Sequence, residues 1–145
     1  MLDIPDIVLE DNLLYNTDSN VLAKNIQCDI AYLDPPYNSR QYSDAYHLLE
    51  NVAKWEKKEV FGVAKKINRD HIKSEYCRSN ATETFRELIN NLNCKYIILS
   101  YNNTGLKAND RSNAKISDED IIKILSEKGT VKIFSKKHKA FTTGK

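Results

Sequence analysis

The sequence predicts an α/β fold, a mostly parallel sheet flanked by helices, on three observations. Short apolar runs at Leu13 to Tyr15, Ile30 to Leu33, Tyr96 to Leu99 and Val131 to Phe134 alternate with segments of helical periodicity. The strand, helix, strand order at the start suits a parallel crossover rather than a hairpin. Two of the apolar runs also end abruptly in polar turns, Asp34-Pro35-Pro36-Tyr37 and Ser100-Tyr101-Asn102-Asn103, as strands do at the carboxyl edge of such a sheet.

In chain order, Leu2 to Asp11 gives no periodic signal and is read as a lead-in with little regular structure. Leu13, Leu14 and Tyr15 are read as a strand, and Asn16 to Asn20 as a polar turn opening a helix, with Val21, Leu22 and Ile26 on its apolar side. Ile30 to Leu33 is the next strand. Two prolines, which have no amide to give a sheet ladder, end it at Asp34. Ala45, Leu48, Leu49 and Val52 then recur at the helical interval, predicting a helix from about 44 to 55 that packs back on the sheet. Glu56 to Ser79 is polar and basic and is read as a long surface loop. Asn80 and Glu83 have capping-box spacing ahead of the stripe Phe85, Leu88, Ile89 and Leu92, and Tyr96 to Leu99 reads as a continuous buried strand. Ser117 and Asp120 open a third helix with core face Ile121, Ile124 and Leu125, ended by Gly129, and Val131, Ile133 and Phe134 begin a final strand.

At 145 residues, 41% apolar and 29% charged, the chain is one domain by length with enough apolar content for a core. A net charge of +2 does not by itself demand a polyanionic partner, although basic residues cluster in Lys54 to Lys73 and Lys132 to Lys145. Cys28, Cys77 and Cys94 show no paired spacing, and His47, His71 and His138 show no ligand spacing with them, so no disulfide framework and no metal site is expected. The amino terminus is acidic where a signal peptide would be basic, and no apolar run approaches transmembrane length. No membrane partner is expected, and the cytoplasm is the expected compartment.

The stretch that carries chemistry is Asp34-Pro35-Pro36-Tyr37. A carboxylate, a proline carbonyl and an aromatic ring at a sheet's carboxyl edge suit a planar base bearing an amino group, because both oxygens accept from one NH2 while the ring stacks. Taken alone the tetrapeptide is also an ordinary Pro-Pro turn, expected by chance in on the order of one chain per thousand of this length. Together with Asn38, Ser39, Arg40, Gln41 and Tyr42 it resembles the catalytic loop of the restriction-associated adenine-specific DNA methyltransferases, and the resemblance covers most of the chain. The Ser100-Tyr101-Asn102 turn is similar to a matching segment of that family.

The resemblance implies a partial Rossmann-like methyltransferase fold and transfer of a methyl group from S-adenosylmethionine to the N6 amine of a flipped adenine in double-stranded DNA, within a restriction-modification system. Asp34, Pro35, Pro36 and Tyr37 are then the catalytic residues, with Asp34 holding the amine's lone pair toward the methyl group and also bordering the cofactor. Asp18 takes the position of the family's acidic residue near the adenine end of the cofactor, against the alternative of a plain helix N-cap. Arg40, Gln41 and Tyr42 would contact DNA just outside the pocket, where surface pairing is an equal alternative. Asn102 would orient the loop or touch cofactor. The family's glycine-bearing cofactor turn and target-recognition region have no counterpart, so residues 1–145 are read as a single partial catalytic domain lacking both. A complementary amino-terminal segment or subunit is the expected partner. An RNA base methyltransferase and a catalytically inactive remnant or partner subunit are the competing readings.

Overall fold

The computed structural model describes residues 12–39, 42–63, 67–68, 73–102 and 114–136. The expectations for Leu2 to Asp11, Arg40, Gln41, His71, Asn103, His138 and the residues beyond 136 lie outside the described residues, as do the side chains of Asp44 and Ala45. In order, α1 is Ser19–Ala23, β1 Gln27–Leu33, α2 Tyr42–Ala45, α3 His47–Ala53, α4 Ala81–Asn91, β2 Asn93–Leu99 and α5 Asp118–Lys128, with a 3-10 turn at Glu75–Cys77 ahead of α4. Among the described residues the sheet has two strands, β1 and β2, paired in parallel from Gln27 opposite Asn93 to Leu33 opposite Leu99. No helix among them is long and apolar enough to cross a membrane.

The core forms where α4 lies on one face of this sheet. Its stripe Phe85, Leu88 and Ile89 is buried, joined by Ala81, Leu92, Ala31 of β1, Ile121 and Ile124 of α5, Ile116 and Tyr76. Each is apolar or a phenol whose body is, and α4's spacing puts its members on one helix face. Strand alternation turns Leu33, Ile97 and Leu99 to the same core.

Several expectations are corrected. Residues 12–16 form no strand, and Leu13 and Leu14 are exposed; Val131 to Phe134 likewise form none, and Ile133 and Phe134 are exposed. A short apolar run becomes a strand only with a ladder partner, and among the described residues neither has one. On α1, Asn20 and Ala23 are buried while Val21 is exposed. The expected helix at 44–55 is broken into α2 and α3, and Leu48, Leu49, Val52 and Trp55 face solvent instead of packing on the sheet. Tyr46, at φ −109 and ψ 5, interrupts it, and α3 ends with Trp55 at φ 54 and Glu56 N–H donating to Asn51 C=O, a Schellman-type stop with tryptophan where glycine is usual. Asn80 makes no side-chain cap. Its amide donates to Glu75 Oε2 at 2.7 Å across the 3-10 turn, while Glu83 pairs with Arg86. Gly129 does end α5, but in extended backbone; Lys128 Nζ donates to Asn90 and Leu92 carbonyls at 3.0 and 2.9 Å and ties that end to the carboxyl end of α4. The Ser117 cap forms as expected, accepting from Asp120 N–H at 3.1 Å.

The loop before α4 carries a contact the sequence reading missed. Tyr76 is buried and donates to Asn20 Oδ1 at 2.8 Å, and the Asn20 amide in turn donates to Thr84 C=O and Glu87 Oε2 at 2.9 and 3.2 Å. Every side of the buried Asn20 carboxamide is satisfied, which joins α1, the 3-10 turn and α4. Burial pushes the Tyr76 phenol up to about 12. Lys24, 2.8 Å from Glu87, and the Asn20 amide hold the Glu87 carboxyl below its usual range.

Candidate active site

The parallel register sets the site. With Leu33 opposite Leu99, both strands run out at one level, and Ser100 N–H continues the ladder by donating to Leu33 C=O at 2.9 Å. The turns beginning at Asp34 and Ser100 therefore lie side by side at the carboxyl edge, as the sequence predicts.

Tyr37 is the joint between them. Its carbonyl accepts from Lys115 N–H at 2.7 Å and from the Tyr101 hydroxyl at 3.3 Å, and that hydroxyl accepts from Ile116 N–H at 3.1 Å. The two rings meet edge to face, with centroids 6.4 Å apart and planes at 78°. Burial raises the Tyr101 phenol above its ordinary range, so it remains a neutral donor at physiological pH. Tyr37 is half-buried and Asn38 buried, while Asp34 is exposed. Among the described residues the Asp34 carboxylate and the Pro35 carbonyl accept no hydrogen bond from the protein. The turn is thus anchored at the Tyr37 carbonyl, with the Asp34 carboxylate exposed. Such an arrangement can take an external NH2 between two oxygens.

The other expected site residues fall as follows. Asp18 caps α1, its Oδ1 accepting from Asn20 N–H at 2.9 Å and Val21 N–H at 3.1 Å, the structural alternative to its expected cofactor contact. Pro36 is half-buried in the turn and Asn102 is exposed beyond Tyr101. Tyr42 opens α2, exposed, with its ring stacked on Tyr46 at 5.9 Å and 26°. Tyr101, Lys115 and Ile116 were not singled out by sequence reasoning. Tyr101 stands within the polar turn already noted, but the return of residues 115 and 116 to Tyr37 is a long-range contact with no local signature.

Cys28 and Cys94, remote in sequence, face each other across the ladder, half-buried, and burial pushes the Cys94 thiol up. They border a depression of about 350 Å³ lined also by Gln27, Asp29, Asn93 and Lys95, at the amino ends of the strands and so at the far end from Asp34. No group of three or more potential metal ligands occurs among the described residues.

The chain is similar in sequence to several known modification methylases. The modification methylase StsI of Streptococcus sanguinis is 42% identical over 131 residues, 87% of this chain and 19% of its own length. The type II methyltransferase M.NlaIII of Neisseria lactamica is 43% identical over 102 residues, 70% of this chain and 30% of its own, and M.FokI of Planomicrobium okeanokoites is 36% identical over 119, 81% and 17%. The chain thus spans less than a third of the length of each of these relatives. No solved structure matches it significantly. Residues 3–104 match the family described as D12 class N6 adenine-specific DNA methyltransferase, a stretch that contains both turns, and the chain belongs to that family.

Proposed function

We propose that this chain is the catalytic segment of a restriction-modification enzyme that methylates the N6 amine of adenine in double-stranded DNA. The observation that carries the reading is the Asp34 turn, held at the Tyr37 carbonyl, with an exposed Asp34 carboxylate that accepts no hydrogen bond among the described residues. Asp34 and Pro35 accept from the target NH2, so the nitrogen lone pair is turned away from the aromatic ring and becomes available to an electrophile. Pro36 holds the turn rigid. Tyr37 offers a ring for the extruded base, stacking being worth about 1–3 kcal/mol per base. A paired adenine cannot reach such a turn, so the base leaves the duplex first. Arg40, Gln41 and Tyr42, next along the chain, are the residues proposed to meet DNA around the pocket.

S-adenosylmethionine supplies the methyl group in this reading. The residues present fit it in part: Asp34 borders the transfer point, and Asp18 retains one carboxylate oxygen beyond its cap. No glycine precedes Gly62, so nothing before the Asp34 turn matches the glycine-bearing cradle. The proposal therefore extends to a partial Rossmann-like domain, completed by a further segment or subunit and acting in the cytoplasm. The test is methyl transfer from labelled S-adenosylmethionine to adenine-containing duplex DNA by this chain joined to the portion of M.NlaIII outside the matched stretch. Transfer to N6 that disappears in Asp34→Ala is expected. Transfer undiminished in Asp34→Ala would remove the assigned role.

A further inference from the structure

Cys28 and Cys94, which have no paired spacing in the sequence, are direct partners in the parallel ladder of β1 and β2. Residues in register on neighbouring strands point to the same side of a sheet, and both thiols pack against the core cluster. One residue further on, Lys95 and Asp29 form an ion pair at 2.6 Å across the same two strands. Neighbouring strands lie about 4.8 Å apart, inside the roughly 4.4–6.8 Å that a disulfide spans between Cα atoms. Burial first, and then the adjacent Cys28 thiol, hold the Cys94 thiol above its ordinary range, with Lys128 pulling the other way, so Cys94 is a neutral thiol at physiological pH. Both cysteines are half-buried beside the depression at the amino ends of the strands, where a small oxidant reaches them, whereas Cys77 is buried.

We infer that Cys28 and Cys94 are a redox-modification site that closes to an intrachain disulfide in the folded protein, the oxidant being a small-molecule disulfide such as oxidised glutathione. The thiolate of one cysteine attacks a sulfur of the oxidant, forming a mixed disulfide and expelling one small thiolate. The other cysteine, deprotonated in turn, attacks the protein sulfur of the mixed disulfide, forms the cross-strand bond and expels the second. Two protein thiols thus lose two electrons, the small disulfide is reduced to two thiols, and the two protein protons end on these. The fold favours the second step, because the ladder already holds together two positions that close a long loop in the unfolded chain. Bringing paired Cβ atoms to the roughly 3.5–4.5 Å of a disulfide draws the strands slightly together, so thiols reopen the bond readily. The bond fastens the ladder at the end away from the Asp34 and Ser100 turns and leaves the acceptor turn untouched. The inference stands apart from the catalytic reading.

The test uses the full 145-residue chain, reduced and then equilibrated in glutathione buffers of rising oxidised share, with free thiols trapped by alkylation. Peptide mapping should find Cys28 joined to Cys94 and Cys77 alkylated. The equilibrium constant for closing the bond should be at least about tenfold larger in native buffer than in urea, because the fold presents the two sulfurs together. The thermal midpoint of the oxidised chain should stand about 5 °C or more above that of the reduced one and return on addition of dithiothreitol. Cys77→Ser should keep both effects, and Cys28→Ser or Cys94→Ser should lose both. A stable glutathione adduct on either cysteine, a bond that includes Cys77, or a bond between two chains overturns the inference. So does a closing constant in native buffer below that margin, or an oxidised chain whose midpoint is unchanged or lower.

Discussion

Tyr37 and Tyr101 show how one residue supports the acceptor turn through backbone as well as ring. Because the anchoring contacts are made to the Tyr37 carbonyl, Tyr37→Phe should leave the turn in place and retain most methyl transfer in the completed enzyme. Tyr37→Ala removes both the stacking surface and the edge contact to Tyr101, and KM for DNA should rise about tenfold or more. Equal effects of the two substitutions would show that the ring does not hold the base. Tyr76 offers a test of stability at the same scale. Its folded pKa, about 12, lies above the ordinary value of 10.0, so the fold favours the neutral phenol. That contribution is whole below about pH 10 and is lost as pH rises toward 12, a change on the order of 2–3 kcal/mol. Tyr76→Phe should cost about 1 kcal/mol at neutral pH through the missing bond to Asn20 and flatten the decline between pH 10 and 12. Urea denaturation of both proteins at several pH values measures this, and parallel declines would exclude it.

Among the elements, α4 and α5 carry the fold. Phe85 is fully buried beneath the sheet, and Phe85→Ala should cost about 3–5 kcal/mol, a large share of the roughly 5–15 kcal/mol that holds a small domain folded. Ser117→Ala removes the cap of α5 and should cost about 1 kcal/mol, whereas Asn80→Ala should cost less, because the Asn80 side chain bonds Glu75 and caps nothing. Thermal or chemical denaturation of the three variants ranks them. A larger loss for Asn80 than for Ser117 would contradict the capping assignment. Both helices were legible from their 3.6-residue stripes. The α3 segment has a stripe of the same kind in Leu48, Leu49 and Val52 and yet lies exposed, since periodicity says that a face is apolar and not what meets it.

For the whole molecule, the unmatched cofactor cradle leads to one expectation. The chain alone should neither bind S-adenosylmethionine tightly nor methylate DNA. Transfer requires the donor held in line with the amine, and a misplacement of about 1 Å costs roughly a hundredfold in rate. A carboxylate at Asp18 does not offset the entropy of fixing a flexible cofactor. Calorimetric titration into the chain alone should show no micromolar binding, and binding should appear once the complementary segment is present. Micromolar affinity and turnover by the chain alone would show that the cofactor site is complete within it.

What the sequence determined by itself was local: where β1 must stop, because Pro35 and Pro36 have no amide to donate; which face of α4 is apolar; and which chemical groups stand at Asp34. The family resemblance added the reaction. Tertiary structure decided everything that depends on a partner distant in the chain. Leu13 to Tyr15 and Val131 to Phe134 read as strands but find no ladder beside them among the described residues, while Ile30, Tyr32, Tyr96 and Ile98 read as buried and lie open. Asn20 and Tyr76, polar in a helix start and a surface loop, proved to be the buried joint between α1 and α4. The Tyr37 carbonyl is anchored from residues 101 and 115 by contacts that no local pattern announces. Propensity and periodicity act over a few residues, whereas burial and hydrogen-bond satisfaction are settled only when distant segments meet.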